Sequence, residues 1–192
     1  MKPGIQLNRL IILGFALAAS IAVPLAGCGS SGGGGVMTPA IVLTYVPVSG
    51  TGAATVTTLS GVGSTDGIAV VEIYVTGVLD VLTASFMLSF DTASVAFLDF
   101  DVSGSHLASD GASIQPIVQQ VQSGELTVGL TRLGATGIDF NGTQLLMRIR
   151  FVRVASSGTS TLTFSNNDLL DAMAPPQSIP GVQWFGGEFQ IN

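Results

Sequence analysis

Residues 144–154 read QLLMRIRFVRV. In an extended chain Leu145, Met147, Ile149 and Phe151 fall on one side, with Arg148 and Arg150 on the other. Successive side chains of a β-strand point to opposite faces, so this pattern predicts a strand with one face in a core and one in water. Such half-burial is the mark of an antiparallel sheet.

Working outward, runs of the same kind recur throughout the chain, separated by Gly, Ser, Asp and Asn. They cover residues 41–48, 55–59, 68–75, 84–90, 95–102, 114–121, 126–132, 160–164 and 182–191. The run at 84–90 alternates cleanly, with Phe86, Leu88 and Phe90 on one face. The more polar run at 114–121 carries Pro116, which suits a sheet edge because proline cannot donate to a ladder. About ten short strands without an amphipathic helix between them predict a β-sandwich or barrel. Residues 167–174 can form a short helical turn before Pro175-Pro176 stops it. There is no internal repeat and no sign of a second domain.

The first forty residues differ in kind. Lys2 and Arg9 form a positive leader, and residues 10–22 (LIILGFALAASIA) are apolar apart from Ser20. This is a signal-peptide pattern, too short for a mature membrane span. It ends in Leu25-Ala26-Gly27-Cys28, which resembles the bacterial lipobox and holds the chain's single cysteine. The resemblance implies cleavage after Gly27, diacylglycerol on the Cys28 sulfur and an acylated amine. Two or three acyl chains hold a protein to a bilayer far more firmly than one. Gly29, in place of Asp, implies sorting to the outer membrane, with the domain on its periplasmic or cell-surface side. The expected organisation is therefore a signal peptide over 1–27, a lipidated Cys28 with a Gly/Ser-rich tether over 28–40, and one β-domain over 41–192.

Composition excludes several functions. Twelve Asp and Glu face six Lys and Arg in the full chain, a net charge of -6; loss of the leader makes it -8. An acidic surface argues against nucleic acid and against electrostatic attachment to anionic lipid. Beyond Lys2 there is no lysine, which removes Schiff-base chemistry and phosphate-cradling lysines. One cysteine permits no disulfide framework and no cysteine-based metal site.

In their order along the chain, four passages resemble the cohesin family, β-sandwich modules that bind dockerins in cellulosomes and also occur in other bacterial surface proteins. They are IAVVEIYVTGV (68–78), LTASFMLSFDTASVAFLDFDVSG (82–104), SGELTVGLTRLGATGIDFNGTQLLMRIRFVRVASSGTSTLTFSN (123–166) and GVQWFGGEFQIN (181–192). The chain departs from the family at Thr92, where proline usually follows the aspartate, and in an N-terminal extension over 45–63. The resemblance implies an all-β jelly-roll β-sandwich of about nine to ten antiparallel strands with no active site, and a dockerin-like protein partner. Carbohydrate-binding modules share the architecture, so polysaccharide binding is the alternative expectation.

The residues capable of chemistry are few. His106, the only histidine, lies in GSHLASDG without a nucleophile-elbow serine and reads as a loop residue. Asp99 and Asp101 project to one side of a strand, with Asp91 and Asp110 near in sequence. They offer two oxygen ligands for calcium, against the simpler reading of solvated carboxylates; no other cofactor is expected. Arg148, Arg150 and Arg153 concentrate three cations in six residues. Arg148 and Arg150 share a face that can grip a carboxylate-bearing partner or balance neighbouring acids. Trp184, beside Phe185, is a candidate for sugar stacking, although adjacent strand residues point to opposite faces and one of the two must be core. Tyr45 and Tyr74 are the other aromatics with polar edges. Asn141-Gly142-Thr143 reads as a turn.

Overall fold

The computed structural model describes residues 40–134 and 136–192. The leader, Cys28 and all of the tether before Ala40 lie outside the described residues. The described chain is almost wholly strand: β1 (Leu43–Pro47), β2 (Thr55–Ser60), β3 (Ile68–Ser89), β4 (Val95–Asp101), β5 (Ser113–Gln122), β6 (Glu125–Leu133), β7 (Ile138–Arg153), β8 (Gly158–Asp171), β9 (Gln183–Phe185) and β10 (Gly187–Ile191). A single 3-10 turn, His106–Ala108, interrupts them. The short helical turn expected over 167–174 is absent because β8 runs on through Asp171, held by pairing to β3.

The longest strand organises the fold. Separate runs at 68–75 and 84–90 are joined into the 22-residue β3. Its first half pairs with β7 on one side and β2 on the other, and its second half pairs with β6 and β8. Between the halves the register breaks, and Gly77 (φ 66°) and Asp80 (φ 57°) take left-handed backbone conformations. Glycine is required at 77: a Cβ there would lie 1.9 Å from the Ala53 carbonyl oxygen. The kink lets one strand serve both layers, as strands do at the corners of sandwiches.

One layer is thus β4-β7-β3-β2-β9 and the other β5-β6-β3-β8, with β10 and β1 added to the first residues of β8. All pairings are antiparallel except β9 on β2. The run at 182–191 is divided at Gly186, where a side chain would meet the Leu162 carbonyl at 2.0 Å; the backbone crosses there from β2 to β8. The fold is a jelly-roll β-sandwich.

Between the layers lie Phe86, Leu88, Leu126, Leu130, Phe140, Leu146, Met147, Ile149, Phe151 and Phe189, all buried. Phe151 of β7 stands 5.2 Å from Phe90 and 4.8 Å from Phe189, ring centre to ring centre, and links the layers. Of the face expected for β7, Met147, Ile149 and Phe151 are buried as the alternation requires, but Leu146 takes the place of Leu145. A bulge opposite Ile73 and Tyr74 shifts the alternation by one residue there. The Asn141-Gly142-Thr143 sequence lies within β7, not in a turn.

A buried hydroxyl chain closes the N-terminal end. Tyr45 donates to Thr58 Oγ1 at 2.7 Å, and Thr58 donates to the Gly186 carbonyl at 2.8 Å. Burial pushes the Tyr45 hydroxyl up to about 12, the Thr58 bond offsetting part of the rise.

Candidate functional site

The two layers present unlike outer faces. On the first, β4 and β7 bring opposite charges into register: Asp99 faces Arg150 and Asp101 faces Arg148. The break between Phe97 and Asp99 makes this possible, since it keeps Phe97 opposite Phe151 while setting the next acids outward. Arg150 grips both oxygens of Asp99. Arg148 donates Nε to Glu72 Oε1 at 2.8 Å and Nη1 to the Ser103 carbonyl at 2.9 Å, with Asp101 at 3.6 Å. The Tyr74 hydroxyl donates to the other Glu72 oxygen at 2.8 Å. Glu72 is only 8% exposed, so Arg148 and Tyr74 supply the hydrogen bonds that burial of a carboxylate demands. Asp101 is held below the usual carboxylate range, first by the hydroxyl and amide of Ser103 and then by the arginines.

The arginine pair therefore meets its carboxylates within the chain. Asp99 and Asp101 are likewise engaged, one by a guanidinium fork and the other by Ser103 N–H at 2.8 Å. Among the described residues no group of three or more His, Cys, Asp or Glu side chains is placed to hold a metal ion. Arg153 Nη1 donates to the Ala155 carbonyl at 3.3 Å.

The second outer face is sparsely charged and carries no cation. Register places Ile117, Gly129, Ser85 and Asp168 in one row across β5, β6, β3 and β8, with Gln119, Thr127, Met87 and Ser165 in the next. Gln115, Thr131, Thr83 and Leu170 form the row on the other side. These rows contain one charge, Asp168. Side-chain bonding across them is sparse: Thr83 reaches Thr131 at 3.4 Å, Ser178 donates to Asp168 at 2.6 Å, and Asn166 lies 3.1 Å from the Met87 sulfur. The Ser, Thr and Gln side chains of this face have capacity to donate and accept hydrogen bonds. Sequence reading passed over Ser85, Met87 and Thr127. Their signal was only that they are the complement of the buried set on each strand.

Trp184 turns inward. Its ring centre lies 5.6 Å from Phe86 and 5.2 Å from Phe164, and every described Phe, Tyr and Trp is buried or half-buried. His106 packs edge-on to Phe140 at 4.9 Å, with Nε2 3.0 Å from the Asp139 carbonyl. Near it the buried Arg132 clamps Asp110 with two N–H groups and donates to the Leu107 and Thr136 carbonyls at 2.7 and 2.9 Å. This clamp, also unforeseen, ties the 3-10 turn to β6. The arginine holds Asp110 down at about 2. Asp91 caps its own turn, accepting from Ala93 N–H at 3.0 Å and from the Ser94 hydroxyl at 2.7 Å.

Neither a family model nor a curated protein sequence matches the chain. Solved structures do. The second type II cohesin module from the adaptor ScaA scaffoldin of Acetivibrio cellulolyticus is similar with a TM-score of 0.54 at 12% identity, over 79% of this chain and 91% of that one. A type II cohesin–X-dockerin complex from Acetivibrio cellulolyticus, an N-terminal interface mutant, gives 0.53 at 12%, over 70% and 96%. CaCohA2 from Clostridium acetobutylicum gives 0.52 at 16%, over 71% and 88%. At these identities the likeness is one of architecture, and the described domain has the cohesin fold.

Proposed function

We propose that the chain is a non-catalytic binding module of cohesin type, which docks a dockerin-like protein module in adhesion or scaffolding. The observation that carries this reading is the likeness of fold to cohesins, including one solved within a cohesin–X-dockerin complex. The sparsely charged face over β5, β6, β3 and β8 is the docking surface in this reading. A face of Ser, Thr, Gln, Met and Ile117 offers hydrogen bonds and apolar contact without first breaking an ion pair, whereas the arginines of the opposite face are already paired. The proposed setting is a signal peptide over 1–27, a lipid on Cys28, a short tether, and the domain of 41–192 held at an outer membrane.

The test is calorimetric titration of the chain with a panel of purified dockerin modules, repeated with Ser85→Arg. Binding by a panel member that falls at least about tenfold in the variant supports the reading. Failure of every member, or retention on insoluble polysaccharide instead, overturns it. The anchor is tested separately, by mass spectrometry of the N-terminal peptide of membrane-extracted material. Diacylglyceryl on Cys28 is expected, and a free thiol overturns that part.

A further inference from the structure

Asn141-Gly142-Thr143 is the chain's only Asn-x-Ser/Thr sequence, the element that asparagine-linked glycosylation requires, and its middle residue is not proline. Neither the ion-paired face nor the docking face uses it. Its setting in β7 is irregular. Thr143 stands opposite Thr76 and Phe140 opposite Val78, so Asn141 and Gly142 together face Gly77 alone. Two residues against one make a bulge, which leaves the ladder locally unpaired. Asn141, Gly142 and Thr143 are accordingly all exposed, where strict alternation would turn Gly142 inward with Phe140 and Gln144. Gly142 takes φ 136°, which favours glycine, and beyond its chain neighbours no heavy atom lies within 4 Å of where a Cβ would stand. The far edge of this stretch is open too. Among the described residues β4 pairs with β7 only from Arg148 to Arg153, and within 138–147 the only strand partner is β3.

We infer that Asn141 is the acceptor for an asparagine-linked oligosaccharide, added to the folded, exported chain by a transferase that holds 139–143 as an exposed segment. Such an enzyme must bring the Asn141 amide nitrogen to the donor sugar while it holds the Thr143 hydroxyl. The open edge and the bulge give it both without disturbing the buried Phe140. Asp139 lies exposed two residues ahead, on the same side as Asn141. One of its oxygens accepts from Asp80 N–H at 2.8 Å, which leaves the other for a cationic group of the transferase. The donor is a lipid-pyrophosphate-linked oligosaccharide. Asn141 Nδ2 bonds to the anomeric carbon as the bond from that carbon to the phosphate oxygen breaks. The pyrophosphate leaves with the electron pair, and Nδ2 gives one proton to a base of the enzyme. The inference rests on the export part of the setting proposed above and not on docking, since these residues lie outside the rows of β5, β6, β3 and β8.

The folded full chain in detergent is incubated with a purified bacterial oligosaccharyltransferase and a polyprenyl-pyrophosphate-linked oligosaccharide, and the product is mapped by mass spectrometry. Transfer to Asn141 is expected. It should vanish in Asn141→Gln and in Thr143→Ala and persist in Thr143→Ser, which keeps the hydroxyl. Asp139→Asn should slow it at least about tenfold. Transfer only after the chain is unfolded, or transfer that survives Thr143→Ala, overturns the inference; an unchanged rate in Asp139→Asn overturns the part given to that carboxylate. A second arm maps the chain isolated from its own cells, where a glycopeptide at Asn141 is expected. A chain lipidated on Cys28 but bare at Asn141 overturns the inference and leaves export standing, whereas a chain that keeps residues 1–27 overturns export and the inference with it.

Discussion

The outer faces of the two layers use polar side chains in opposite ways. On β4, β7 and the first half of β3, each outward arginine meets an acid within the sheet, and the buried Glu72 is satisfied by Arg148 and Tyr74. On β5, β6, β8 and the second half of β3, hydroxyls and amides stand in rows with few bonds among themselves. The same two-residue period builds both. The first face closes on itself, and the second is left free to meet something else.

The sharpest way to break the comparison is to disturb what both faces share. Phe151→Ala removes the ring between Phe90 and Phe189 and is expected to cost about 3–5 kcal/mol in urea unfolding, loosening both layers together. Next comes the charged face itself. Glu72→Ala strips Arg148 of its closest partner and leaves the Tyr74 hydroxyl without its acceptor, at an expected cost of about 2 kcal/mol. Ser85→Arg on the sparsely charged face should leave stability within about 0.5 kcal/mol while weakening the proposed docking; a stability loss as large as that of Glu72→Ala would erase the distinction between the faces.

Acid sharpens the contrast further. Asp110 has its folded-state value lowered to about 2, below the ordinary 3.8, so its contribution is present above about pH 4 and is lost as pH falls toward 2. Asp110→Asn should flatten that part of the acid limb in a thermal melt recorded against pH. The smallest effect is expected at Arg150→Ala. Its pair with Asp99 is half in solvent, so the change should fall within the scatter of replicate unfolding curves and shrink further in high salt.

Much of this architecture is legible along the chain, because a half-buried strand writes its two faces into alternate residues. Phe86, Leu88, Met147, Ile149 and Phe151 are all read correctly from that alternation. Where it fails, a local irregularity intervenes. Leu146 replaces Leu145 at a bulge, two runs fuse into β3 at Gly77 and Asp80, and residues 167–171 follow β3 instead of coiling. The arginine pair was visible as a pair, but its acids were not assignable. Arg150 meets Asp99 across 51 residues and Arg148 meets Glu72 across 76. Glu72 gave no separate signal, sitting in an apolar run where a lone acid has no evident partner.

The amino-acid order by itself determined that this protein is built from alternating strands, that its cations are few and clustered, and that Pro116 belongs on an edge. Those properties depend on residues two apart or on simple counts, and no distant neighbour can alter them. Only the tertiary structure decided which face is closed by ion pairs, which is left without a cation, and that Trp184 turns into the core beside Phe86 and Phe164. The reason is physical: strand pairing and layer packing join residues remote in sequence, and a side chain's role is set by what those contacts place opposite it.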